Sequence, residues 1–290
     1  MNDQVNKKYI DLKNYSSKNL KINFSYESID ISKLEALAYI FTLSGYKIID
    51  VECNSDKLKA INDGIKKGLT KNNKSHYSTK TKPLISVSFD ISKISFPEII
   101  SQIDKLNIKN MEFDIIEFHC FDLAPEYIDN FISNLKNLKN GYIFSLSISR
   151  DKLSNSSIVQ LIKSFHQNIS KNLLVEIENI SSKEEDNSLS AILQVLSTAD
   201  IINKDLKNSE FIFKRMPLFL HNDLNFNTAN LAEQCNVEFN GLNIDLAIFP
   251  KLIKNIDEIN KISEEDLINL LNSIKKKSDL KLTPDNYLKN

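Results

Sequence analysis

The chain has 290 residues, 37 basic and 38 acidic side chains, a formal net charge of −1, and only 5 glycines and 3 cysteines. Average usage of about 7% would give a chain of this size roughly 20 glycines, so collagenous and Gly-rich disordered architectures are excluded. A hydrophobic fraction of 41% with 26% charged residues suits a chain that buries a core, and the balanced charge gives no general pull toward nucleic acid or an anionic membrane.

Residues 1–19 are polar, lack the apolar stretch of a secretory signal, and read as a flexible segment. From there, short β-rich runs alternate with segments of helical period. The expected strands are Leu20–Ser25, Lys47–Cys53, Leu84–Asp90, Phe113–Phe121, Tyr142–Ser149, Leu173–Asn179, Pro217–Asn222 and Gly241–Ile248. The expected helices are Ser32–Ser44, Asp56–Gly68, Pro97–Leu106, Pro125–Leu138, Ser156–Gln167, Ser188–Leu196, Asn227–Gln234 and Glu264–Lys276. No apolar run is long enough to span a membrane, which takes about 18 residues. Eight β/α alternations in about 250 residues fit a (β/α)8 TIM-type barrel of parallel strands better than an open doubly wound sheet. The barrel takes residues 20–278 as one domain, with a tail over 279–290.

Within the runs, polar and apolar residues alternate, and alternate residues of a strand share a face. Asp50 and Glu52 oppose Ile49, Val51 and Cys53; Ser86, Ser88 and Asp90 oppose Ile85, Val87 and Phe89. Glu117 and His119 oppose Ile116, Phe118 and Cys120, and Ser145, Ser147 and Ser149 oppose Phe144, Leu146 and Ile148. Glu176 and Glu178 oppose Val175 and Ile177; Asn243 and Asp245 oppose Leu242 and Ile244. In a barrel the apolar faces pack beneath the helices and the polar faces line the interior. An antiparallel sheet with one solvated face produces the same alternation.

Two loops stand out. Lys71–Lys82 carries four lysines and no acid, and reads either as a solvated loop or as a docking patch for an acidic partner. Ser181–Ser188 adds Glu184, Glu185 and Asp186 to the C-terminal rim, where barrel sites are built. The three cysteines lie far apart, so neither metal spacing nor a disulfide framework is present. That usage points to a reducing, cytoplasmic compartment. Cys53 and Cys120 fall on apolar faces, where a thiol behaves as a small hydrophobe.

The chemistry candidates are Glu117 and His119, two apart on one strand face, with His221 at the end of the seventh strand facing them across the mouth. A histidine beside a carboxylate is a general acid/base pair. With Asp50 or Glu178 it also makes a ligand set for a divalent metal. The alternative is that these inward groups only satisfy one another. No phosphate-binding glycine loop, nucleophile elbow or H-E-x-x-H occurs.

The segment Leu34–Gly64, with the turn Thr42-Leu43-Ser44-Gly45-Tyr46 followed by Ile49-Asp50-Val51, resembles a helix-to-strand passage of the light-dependent period protein A (LdpA) family of cyanobacteria and of related plastid barrel proteins. Leu84–Ser88, Ile116–Cys120, Phe219–Asn225 and Asn240–Ala247 are similar to further motifs of that family in the same order. The resemblance covers about residues 20–255. It implies a barrel acting in light or redox input to circadian timing, with clock or redox-input components as partners. Members of that family carry ferredoxin-like cysteine clusters between the third and fourth strands, but this chain has no cysteine between Cys53 and Cys120. The family's glycines at the ends of the seventh and eighth strands are replaced by Asn222-Asp223 and Asp245, which disfavours phosphate there by sterics and charge.

The sequence therefore sets two expectations. The first is a non-enzymatic regulatory or interaction protein resembling LdpA, without iron–sulfur clusters and with no cofactor, no nucleic acid and no membrane span. The second is a small-molecule enzyme of TIM-barrel type with an acidic mouth built on Glu117, His119 and His221, and a metal at Asp50 or Glu178.

Overall fold

A computed structural model of the chain describes residues 2–13, 21–24, 30–44, 46–72, 82–120, 127–136, 141–149, 153–170, 172–178, 218–222 and 238–242, with single positions 123, 138 and 204. In chain order the elements are α1 (Asn2–Lys13), β1 (Lys21–Asn23), α2 (Ile31–Ser44), β2 (Ile48–Glu52), α3 (Ser55–Asn72), β3 (Leu84–Asp90) and α4 (Phe96–Ile108). They continue with β4 (Ile115–Cys120), α5 (Ile128–Leu135), β5 (Ile143–Ser149), α6 (Asn155–Asn168), β6 (Leu173–Glu178), β7 (Leu218–Asn222) and β8 (Glu238–Leu242). The expected helices Ser188–Leu196, Asn227–Gln234 and Glu264–Lys276, the loop Ser181–Ser188, Cys235 and the tail lie outside the described residues. None of the described helices is long and apolar enough to cross a membrane.

The helices start and stop where local chemistry directs. Asn54 Oδ1 accepts the backbone N–H groups of Asp56 and Lys57 at 2.9 and 3.1 Å, capping α3. Ser154 Oγ accepts the Ser157 N–H at 3.2 Å at the start of α6, and Pro97 occupies the first turn of α4. Helix α4 ends as Asn110 turns left-handed at φ 52° and the Met111 N–H reaches back to the Leu106 carbonyl at 3.0 Å. Glycine usually takes that position; asparagine is the next best tolerated residue.

The chain groups into two compact units, one of residues 1–16 and 86–222, the other of residues 17–85 and 223–290. In the first, β3 to β7 pair in consecutive order, each neighbour parallel. Parallel pairing decides against the antiparallel alternative, because parallel neighbours need the helical crossovers that the periodicity shows. The apolar faces of these strands meet an aromatic core. Phe118 of β4 lies edge-on to Phe131 of α5 with ring centroids 5.6 Å apart, and Phe144 of β5 meets Phe165 of α6 at 5.5 Å. Phe96 of α4 closes on Phe131 at 5.4 Å.

In the second unit β1 and β2 are parallel, with Asn23 in register with Asp50. Phe41 of α2 packs between Phe24 and Tyr46 at 6.1 and 4.8 Å. Strand β8 lies against β1 and begins at Glu238, earlier than expected. The apolar residues Phe239 and Leu242 fall within it, and the rest of the expected run, 243–248, lies outside the described residues.

One expectation needs correction. Residues 2–13, expected to be part of a flexible segment, form a docked helix. The Tyr9 hydroxyl donates to the Leu173 carbonyl at 2.8 Å, Lys8 pairs with Asp114, and Asn172 donates to Asn6 at 2.8 Å. The segment is polar overall, so its anchor is a single aromatic ring rather than an apolar stripe. Burial pushes the Tyr9 phenol up from 10.0 to about 12, with the Leu173 bond acting in the opposite direction. A raised folded pKa means that the neutral phenol is favoured by the fold. Its contribution is present in full below pH 10 and disappears as pH climbs through about 12. Tyr9→Phe is expected to lower stability at pH 7 by about 1 kcal/mol and to flatten the alkaline limb of the stability curve, measured by urea unfolding from pH 7 to 12.

Candidate active site

The polar face of the first unit is set by register. Ser88 of β3 stands in line with Glu117 of β4 and Ser145 of β5. One layer toward the C-terminal ends, Asp90, His119, Ser147 and Glu176 form the next row, and beyond them Ser149, Glu178 and His221 form a third. Parallel neighbours in register point to the same side of the sheet, so Ser88, Asp90, Glu117, His119, Ser145, Ser147 and Glu176 share one face. That face is not solvated: Ser86, Ser88, Glu117, His119, Ser145, Ser147 and Glu176 are all buried.

Glu117 and His119 are brought together. His119 Nε2 lies 3.0 Å from Glu117 Oε1, with the two residues 4% and 1% exposed. With the hydrogen on Nε2, Glu117 accepts it and the basic lone pair sits on Nδ1; with both nitrogens protonated, the pair is ionic. Either way the imidazole is oriented by a carboxylate in a place with little water, near the C-terminal end of its strand.

The other expected residues fall differently. His221 is placed by its backbone in register with Glu178, so the seventh strand contributes to the row above the Glu117–His119 pair. Asp50 belongs to the second unit, where it is fully buried on β2. Lys21, in register with Ile48 two residues earlier, shares that face and is also buried.

Asp90 ends β3 at the rim of the polar face. Burial pushes its carboxyl up, but bonds from Lys93 Nζ at 2.7 Å and from the Ser92 hydroxyl and N–H at 2.6 and 3.0 Å outweigh burial and hold it below the usual carboxylate range. It is therefore a fixed negative charge, engaged by its own loop, and a poor proton acceptor. The thiols are poorer nucleophiles still. Burial, then the charge of Glu52, pushes Cys53 up to about 12. Burial, followed by Glu117 and Asp90, pushes Cys120 up further, and its Sγ sits 3.6 Å from the Phe118 carbonyl on the apolar face.

The residues that sequence reasoning passed over are Glu176 and the serines of β5. The alternation put them on the polar face, but a serine in a strand carries no signal of its own, and only the register shows which carboxylate or imidazole it adjoins.

No family model matches the chain, and no curated protein matches it. Among solved structures, it is similar to a "putative lyase/mutase" from Burkholderia cenocepacia, with TM-score 0.51 and 6% identity, covering 92% of this chain and 95% of that one. It is also similar to the N-terminal domain of a "putative aldolase" from Bacteroides vulgatus, with TM-score 0.51 and 12% identity, covering 89% and 85%. At such identities the likeness shows the fold, a TIM-barrel-like α/β arrangement, and no more. Neither structure bears on the resemblance to the LdpA family.

Proposed function

We propose that the protein is a small-molecule enzyme whose eight parallel strands close as a (β/α)8 barrel and whose general acid/base is the Glu117–His119 pair. The observation that carries this reading is the 3.0 Å contact between two buried titratable side chains at the C-terminal end of β4. In TIM-barrel enzymes the chemistry sits at the C-terminal ends of the strands. An imidazole backed by a carboxylate is equipped to take a proton from a carbon next to a carbonyl. The C–H electron pair moves toward the carbonyl oxygen as an enolate, and the proton returns to carbon or oxygen to complete the reaction. The names of the two similar structures, lyase/mutase and aldolase, agree with chemistry of this kind.

The test of the acid/base reading is solvent hydrogen exchange. The protein is incubated in D2O with a panel of small carbonyl compounds, and deuterium incorporation next to the carbonyl is followed by NMR. Wild type is expected to label at least one of them, and Glu117→Gln or His119→Gln to slow labelling by about 10²–10⁴-fold. No labelling across the panel, or labelling that survives both substitutions, sinks the reading. The LdpA-type regulatory role is the competing proposal. It predicts no labelling, together with retention of clock or redox-input components on the immobilised protein.

A further inference from the structure

A cavity of about 340 Å³ opens within the first unit, apart from the Glu117–His119 pair. Val5 and Asn6 of α1 form one wall; His166 and Ile169 at the end of α6, Tyr142 before β5 and Asn172 before β6 form much of the rest. The cavity therefore lies at the N-terminal ends of the strands, whereas the acid/base pair is near the C-terminal end of β4. Its volume is at the low end for small-molecule clefts, about 300–1,000 Å³, and suits a ligand of one or two rings.

Two amides in the lining define an edge. Asn172 Nδ2 donates to Asn6 Oδ1 at 2.8 Å, so the pair leaves Asn6 Nδ2 as a donor beside Asn172 Oδ1 as an acceptor. Turning both amides over exchanges the roles and leaves the same complement. Asn172 is held by its backbone: its N–H donates to Ser170 Oγ at 3.1 Å and its carbonyl accepts the Phe144 N–H at 2.9 Å. Asn6 is held by the docking of α1 through Tyr9. A donor next to an acceptor matches the N–H and C=O of a lactam, which present the reverse pair. Tyr142 adds a rigid ring, stacked on Phe113 with planes 4° and centroids 5.0 Å apart, its hydroxyl donating to Asn107 Oδ1 at 2.9 Å. Val5 and Ile169 give a flat ligand an apolar border. No Asp, Glu, Lys or Arg stands in the lining among the described residues. A phosphate would find no fixed counter-charge there, and the C-terminal end of α6, which contributes residues 166–170, carries partial negative charge.

We propose that this cavity binds a neutral ring compound with a lactam edge, of the class of the uracil and hypoxanthine nucleosides, with Asn6 and Asn172 reading the edge and the ring lying along Tyr142. Because Asn6 belongs to α1 and Asn172 leads into β6, a ligand on both fastens α1 to the sheet. The site uses none of the chemistry assigned to Glu117 and His119, so it stands or falls apart from that reading.

The test follows melting of the full chain, as wild type, Asn6→Ala and Asn172→Ala, across millimolar titrations of uridine, inosine, 3-methyluridine and uridine monophosphate. Uridine or inosine is expected to raise the wild-type Tm and to slow tryptic cleavage at Lys7 and Lys8 of α1. The methylated analogue lacks the N–H of the edge and is expected to bind wild type about tenfold more weakly than uridine, the equivalent of one hydrogen bond. Each asparagine variant is expected to lose about tenfold in affinity for the nucleoside that binds. No shift of wild type by either nucleoside overturns the proposal. So does binding of 3-methyluridine or of the monophosphate as tight as that of uridine. A lowered unliganded Tm with unchanged affinity in both variants shows a purely structural amide pair and overturns it too. The comparison of uridine with its methylated analogue is made on wild type, so it decides the matter even where a variant does not fold.

Discussion

Gly64→Ala is expected to destabilise the protein by about 3 kcal/mol or more, well beyond an ordinary overpacking change, seen as a lowered midpoint of urea unfolding. In an exposed helix the same substitution adds roughly 1 kcal/mol of stability through helix propensity. Gly64 lies in α3 where that helix crosses α2, and a Cβ there would stand 2.2 Å from the Glu35 carbonyl oxygen, 2.8 Å from Ala38 Cβ and 3.0 Å from the Tyr39 nitrogen. Two of the three obstacles are backbone, so relief requires the helices to move apart. One turn on, Gly68 would meet Thr42 side-chain atoms at 2.9 Å and the Tyr39 carbonyl at 3.2 Å. Thr42 is itself anchored by its hydroxyl to the Ala38 carbonyl at 2.7 Å, so Gly68→Ala is also expected to destabilise, by about 1–2 kcal/mol. An equal effect at the two positions, or stabilisation at Gly64, would contradict the packing described.

Two of the five glycines in the chain are thus spent on one helix crossing. The scarcity of glycine is legible in the sequence, and so is its shortage at the ends of the seventh and eighth strands. The close approach of α2 to α3 is not, because it depends on which helix faces meet, and a single sequence does not pair them. The strands β2 to β7 fall within a residue or two of their expected bounds, since period-2 alternation in β-rich runs reports the pleat directly. The same alternation says nothing of how deep the polar face lies. Glu117, Ser147 and Glu176 read alike whether bathed in water or sealed, and only their burial in the folded chain shows them sealed. Helix α1 escaped detection for a related reason: a polar dodecamer held by Tyr9 and two polar contacts has no apolar stripe. Asn110, taking the left-handed position that ends α4, shows how a chain short of glycine still turns a helix.

The Glu117–His119 pair should separate what it contributes to the fold from what it contributes to the chemistry. His119→Leu leaves a carboxylate 1% exposed without its imidazole, and the expected loss is about 3 kcal/mol, that of a broken buried pair. Glu117→Leu leaves an imidazole, which can stay neutral, and is expected to be milder at about 1–2 kcal/mol. The double variant replaces a buried polar pair with packed apolar side chains, a change that is often neutral or stabilising. It should therefore recover much of the loss, with a coupling between the two sites of about 1–3 kcal/mol in the urea-unfolding cycle. Labelling activity should not recover with it. If the double variant is stable and inert, the pair is retained for its chemistry, since leucines would serve the fold as well. Additive losses with no coupling would mean that the two residues act through separate partners, and the 3.0 Å contact would then lose its place as the centre of the site.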